Sequence, residues 1–398
     1  MFYPTPGTTR AGWLLEFFLR QASCENGSRP WRVQIRVKNK IYWLLLLVPI
    51  TLAVRYTSPG SQTLIFALSA ASMIPLARLL SDATENLAER LGPTLGGLLN
   101  VTFGNAGELV IGFFALRQGL HRVVKASISG SILVNLLLTL GISMLLAGVR
   151  KKTLTFNPLS ARTQATMLLL AAVSLIFPAA YHFLAGPAAA RREADLSLEF
   201  AVILLLTYGS CLLFTLHTHR QLLAVQTPAE HTGDAIWTSS RAFTILALSA
   251  VAIGWMGEVL VGSIEAASRA LGMTDLFVGI VILAIAGNAA ESTSAVRAAL
   301  RGRMDLSVGI GAGSSIQIAL FVAPCLVLLS RFVGPGPMDL VFTPVEVLAL
   351  VLAIAVTTQV AGDGESNWLE GVQLLAVYIM LAIIFFYLPE ETGRVQVQ

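Results

Sequence analysis

From residue 41 to residue 388 the chain alternates between long apolar runs and short breaks of charge, proline or glycine. A helix needs about 20 apolar residues to cross about 30 Å of hydrocarbon. Runs of that order fall at 41–57, 61–80, 95–117, 124–148, 163–184, 197–216, 241–267, 275–299, 305–331, 342–359 and 368–388. The pattern predicts an all-α integral membrane protein with about eleven transmembrane helices. Most connections are short. The exceptions are a basic N-terminal segment, 1–40, and a polar linker, 218–240; a tail, 389–398, follows the last run.

Composition supports the membrane reading. Of 398 residues, 55% are hydrophobic and 13% charged, against about 25% charged in soluble domains. A formal net charge of +4 gives no reason to expect nucleic acid as a partner; the partner is the lipid bilayer. Cys24, Cys211 and Cys325 have unrelated spacings and suggest neither a disulfide framework nor a metal site. His217, His219 and His231 read as solvated loop residues, and no cleavable signal peptide is apparent. A cytoplasmic N-terminus puts about twice as many Lys and Arg inside as outside, as the positive-inside rule asks. An inner (plasma) membrane and a vacuole-type membrane both suit that topology.

The chain also repeats itself. Residues 78–92, RLLSDATENLAERLG, align without gaps on 258–272, EVLVGSIEAASRALG, and Glu85 falls on Glu265. Further on, Gly104-Asn105-Ala106-Gly107-Glu108 matches Gly287-Asn288-Ala289-Ala290-Glu291. Beyond these, Gly130-Ser131 with Asn135 resembles Gly313-Ser314-Ser315 with Gln317. The copies lie an odd number of spans apart, so they cross the membrane in opposite directions, as inverted repeats do. The expected division is a leading helix, 41–57, and two five-helix repeats, 61–217 and 241–388.

Glu108 and Glu291 fall well inside apolar runs, where an acidic residue costs about 2.5–3.5 kcal/mol. Packed about a pseudo-two-fold axis they would face each other, and like charges in low dielectric do not both ionise cheaply. The pair then holds either protons or a cation, not both. Gly104 and Gly287 permit local unwinding that frees carbonyls, tolerated at membrane depth only around a cavity or site. Asn105 and Asn288 sit three residues before the glutamates, on the same helix face. Two carboxylates, two amides and a few carbonyls or waters make an oxygen set suited to Ca²⁺. Neither motif offers the Cys or His that softer metals prefer.

Ser131, Asn135, Ser314, Ser315 and Gln317 are weaker candidates, lining the site or bonding helices together. Glu85, Glu258 and Glu265 lie nearer span ends and are candidates for ion access or proton passage. No cofactor is expected beyond the transported ions, and homo-oligomerisation stays open.

These motifs carry a resemblance. LLNVTFGNAGELVIG (98–112), GNAAES (287–292), GSILVNLL (130–137), GAGSSIQIALFVAP (311–324) and ATENLAERLG (83–92) resemble the calcium/proton exchangers (CAX) of the cation/calcium exchanger superfamily. The resemblance implies eleven spans, alternating access of one central site, and Glu108 and Glu291 as cation ligands that exchange protons. The chain departs from the family pattern at Ser292, where histidine is usual, and at Ala284, where proline is. Its linker holds only Glu230 and Asp234 in place of an acidic run. A Na⁺/Ca²⁺-type exchanger of the same superfamily remains an alternative, and a cation channel is one of a different class. An enzyme is not expected: there is no His-Glu-x-x-His motif, and Gly362-Asp363-Gly364-Glu365 reads as a turn.

Overall fold

The structure, a computed structural model, describes residues 40–186, 192–218 and 237–389. Most of the N-terminal segment with Cys24, most of the linker with His219 and His231, and most of the C-terminal tail lie outside the described residues. The chain between them is helical: α1 (Leu44–Thr57), α2 (Gln62–Gly104), α3 (Ala106–Arg117), α4 (His121–Gly148), α5 (Pro158–Ala185), α6 (Glu193–Thr218), α7 (Ser239–Leu271), α8 (Asp275–Gly287), α9 (Ala289–Leu300), α10 (Met304–Ser330), α11 (Pro344–Ala361) and α12 (Trp368–Tyr387). β1 (Leu154–Thr155) and β2 (Glu365–Ser366) form a two-residue antiparallel ladder that ties two connections together. The Gly362–Glu365 stretch indeed turns, at Gly364 with φ +81°.

By length and composition, eight helices among the described residues can cross a membrane, and nine if the bent pair α8–α9 is counted as one span. Two expected spans differ. The run at 41–57 becomes α1, a shorter apolar helix. The run at 95–117 does not stand alone, because α2 continues for 43 residues and the next helix starts only after Asn105. The expected break near residue 80 is absent for a physical reason. Beyond Leu80 the overall polarity rises, yet Leu80, Ala83 and Thr84 keep one buried stripe at helical spacing. The helix as a whole makes its most extensive contact in the fold with α7.

α4 and α10 are the most enclosed spans. Their small residues, such as Ala126, Ser127, Ser129, Gly130 and Ser131 on α4, let backbones approach closely, which is how helices associate where no hydrophobic gain separates protein from lipid. At Gly130 the approach is extreme: an added Cβ would stand 2.2 Å from the Ile280 carbonyl oxygen of α8. The two motif helices are crossed over. α3 packs on α7 and α10, while α9 packs on α2 and α4.

Candidate functional site

Both glycine–asparagine–glutamate motifs lie at helix breaks. Asn105 (φ −104°, ψ 27°) separates α2 from α3, and Asn288 (φ −89°, ψ 10°) separates α8 from α9, where the chain bends by 57°. These dihedrals border the sparsely populated bridge region, frequent at active sites. Each break ends one helix on carbonyls and starts another on free N–H groups. Glu108 and Glu291 both occupy the first turn of the new helix, where the macrodipole favours negative charge.

The structure brings the two motifs together. An added Cβ at Gly287 would lie 3.1 Å from Glu108 Oε1, and one at Gly107 would lie 4.0 Å from the Gly287 carbonyl. A side chain at 287 would crowd the Glu108 carboxylate, whereas one at 107 would meet the second motif only at ordinary contact distance. Glu108 and both asparagines are buried, and Gly287 with them, whereas Gly104 and Glu291 are half-buried.

The asparagines are fixed by partners from the opposite half of the chain. Asn105 Nδ2 donates to Gln317 Oε1 of α10 at 2.5 Å. Asn288 Nδ2 donates to Ser131 Oγ at 2.8 Å and to the Ala284 carbonyl, while its Oδ1 accepts from Asn135 Nδ2 at 2.8 Å. Such interhelical bonds contribute about 0.6 kcal/mol each within membranes, so their main effect is to orient the amides. Asn135 lies in a stretch of wide π-helical turn, Val134–Thr139, and a second such stretch, Ile318–Val322, follows Gln317 directly. Single π turns inside α-helices are frequent at functional sites.

Four oxygens at this meeting point are buried with no hydrogen-bond partner among the described residues: Asn105 Oδ1, Glu108 Oε1, Asn135 Oδ1 and Glu291 Oε2. Buried acceptors left unpaired are costly and rare. Two carboxylate and two amide oxygens together form a hard-donor set, the chemistry of a Ca²⁺ ligand shell. Among the described residues no three Asp, Glu, His or Cys side chains gather.

The other expected residues have partners or surroundings of their own. Ser315 donates its hydroxyl to the Gly311 carbonyl, and Ser314 lies half-buried on α10. Glu85 and Glu258 are exposed on α2 and α7, and Glu265 pairs with Arg269 at 2.5 Å. Two features of the site carry no mark in the sequence. Thr139 Oγ1 and Ser292 Oγ are 2.6 Å apart, joining α4 to α9 beside Glu291. Arg78, counted above only as a basic residue, bonds Ser294 one turn beyond the second glutamate.

The profile described as "Sodium/calcium exchanger protein" matches residues 61–217 and 241–387. A Ca²⁺/H⁺ antiporter of Aphanothece halophytica is 40% identical over 366 residues, covering 88% of this chain and 98% of that one. The Ca²⁺/H⁺ antiporter ChaA of Bacillus subtilis is 38% identical over 356 residues, covering 88% and 100%. Among solved structures, native YfkE superposes with a TM-score of 0.76 at 35% identity, over 87% of this chain and all of that one.

Proposed function

The chain belongs to the sodium/calcium exchanger protein family, and from that premise we propose that it is a secondary antiporter exchanging Ca²⁺ for H⁺ across a membrane. Its calcium/proton exchanger relatives support the ion pair, since they match it over nearly their whole length. We place the exchange at Glu108 and Glu291. The observation that carries this is the cluster of four unpartnered buried oxygens where the two motifs meet.

The chemistry follows from competition. When both carboxylates are ionised, they and the amide oxygens of Asn105 and Asn135 replace part of the Ca²⁺ hydration shell. Carbonyls at the ends of α2 and α8, Gly104 and Gly287 among them, complete it. When Ca²⁺ leaves, two adjacent carboxylates in a water-poor site are repulsive, and protons bind instead. Protons and Ca²⁺ therefore use the same oxygens in turn, and neither crosses without displacing the other. Asn288 holds Asn135 and Ser131 in register, and the helix N-termini at Ala106 and Ala289 stabilise the ionised state.

Alternating access fits an arrangement of eleven membrane segments, with α1 leading and residues 61–217 and 241–388 as inverted five-helix repeats. The crossed contacts of α3 with α7 and of α9 with α2 support it, as does the reciprocal bonding of Asn105 to Gln317 and of Asn288 to Asn135. The basic-residue bias puts the N-terminus in the cytoplasm.

The test is transport by purified protein in sealed vesicles. An imposed pH gradient is expected to drive Ca²⁺ uptake without Na⁺, and a protonophore to collapse it. Because only deprotonated carboxylates bind the metal, the KM for Ca²⁺ should fall as pH rises on the loading side. Absolute dependence on Na⁺, with no protonophore effect, would assign the chain to Na⁺/Ca²⁺ exchange instead.

A further inference from the structure

Outside the paired motifs, a second polar cluster joins three elements. On α2, Arg78 Nη2 pairs with Asp82 Oδ1 at 2.5 Å, one turn further along the same helix. Its Nη1 reaches across to α9 and donates to Ser294 Oγ at 2.7 Å. Asp82 Oδ2 in turn accepts from the hydroxyl of Tyr42, on the segment leading into α1, at 2.5 Å. The Arg78 and Asp82 side chains are only 12% and 19% exposed. Ser294 lies three residues after Glu291, hence on the same face of α9, and the guanidinium is near enough to act on the Glu291 carboxylate.

The way the charges are distributed is informative. A buried cation separated from its anion costs several times what a broken neutral hydrogen bond does. Here the anion, Asp82, travels with Arg78 on one helix, and the hydrogen bond of Arg78 across the interface goes to an uncharged hydroxyl, with the Arg297 guanidinium of α9 close by. When the interface opens, the hydroxyl contact is exchanged for water while Arg78 keeps its partner Asp82. A contact meant only as glue would gain more from an acid at position 294. In the gapless alignment of 78–92 with 258–272, the counterpart of Arg78 is Glu258, exposed on α7. The aligned position thus carries an exposed acid in place of a half-buried cation.

We propose that Arg78 is a positioning residue of the exchange cycle, a latch that holds the Glu291-bearing helix α9 through Ser294 and releases it at every turnover. The latch presupposes exchange at the paired glutamates, so wild-type Ca²⁺/H⁺ exchange in vesicles is measured first; a wild type that does not exchange removes both ideas.

Ser294→Asp turns the releasable bond into an interhelical ion pair. It is expected to lower the maximal exchange rate about tenfold or more, because opening must now separate charges in low dielectric, and to leave the KM for Ca²⁺ no higher. Combining it with Arg78→Gln should relieve that slowing. Ser294→Ala removes only the hydroxyl, keeps the Arg78–Asp82 pair and gives a readout even where the aspartate variant folds poorly; its maximal rate should rise. A merely structural contact predicts lower yield with unaltered turnover per folded molecule. Wild-type maximal rates in both Ser294 variants, a slowing by Ser294→Asp that persists in the Arg78→Gln background, or a change confined to KM would each overturn the latch.

Discussion

Glu108→Gln and Glu291→Gln are each expected to abolish Ca²⁺/H⁺ exchange in vesicles while leaving yield, monodispersity and thermal stability near wild type. The amide nearly matches the carboxylate in volume and shape, so the contact of Glu108 with Gly287 survives. Glu108 Oε1 and Glu291 Oε2 have no partner among the described residues, and the bond each carboxylate accepts from its own backbone N–H can pass to the amide oxygen of glutamine. What disappears is one titratable group and half of the negative charge facing the ion. Losing one charged ligand from a desolvated site costs on the order of several kcal/mol of binding, at least about a hundredfold at about 1.4 kcal/mol per tenfold. Ordinary exchange by folded Glu108→Gln protein would remove that residue from the site, and the same holds for Glu291→Gln.

Gly130 should behave in the opposite way, losing the fold before the chemistry. Its missing side chain lets α4 and α8 touch backbone to backbone, and an added Cβ would stand 2.2 Å from Ile280 O and 2.5 Å from Ile280 Cα. No side-chain rotation relieves a clash with main chain, so the helices must separate. Overpacking of this kind costs about 1–3 kcal/mol for a methyl, and Gly130→Leu should exceed that. The separation would also displace Ser131 and Asn135 from Asn288, spoiling the orientation of the site amides. Gly130→Ala is expected to melt at a lower temperature in detergent and Gly130→Leu to yield little folded protein. Gly254→Ala is the control, because nothing lies within 4 Å of a Cβ there. A Gly130→Leu protein as stable as the Gly254→Ala control would show that α4 and α8 do not pack as described.

Much of the candidate site is legible in the sequence because burying charge is expensive. An acid inside an apolar run announces itself, and Glu108 and Glu291 do so twice, each with Gly and Asn at the same offsets. The amides were traceable too, since Asn135 and Gln317 follow at similar distances in the two copies. Arg78 was not. On a hydropathy reading it is one basic residue near a span end, and its role depends on Ser294, 216 positions away. The hydroxyl contact of Thr139 with Ser292, across 153 positions, was hidden for the same reason.

Helix boundaries divide along the same line. Apolar run length located most of the spans within a few residues, because the cost of exposing backbone polar groups to lipid forces continuous helix wherever a run is long enough. It misplaced the end of α2, where the helix continues on a narrow buried stripe that an average over the window cannot register. The sequence by itself determined that the chain is a helical membrane protein with two buried acidic motifs, because solvation penalties act on each residue independently of its neighbours in space. Only the tertiary structure decided that Gly287 of one motif meets Glu108 of the other, which oxygens are left without partners, and where a guanidinium reaches across to α9. Those are matters of distance between residues far apart in the chain, and distance is set by packing.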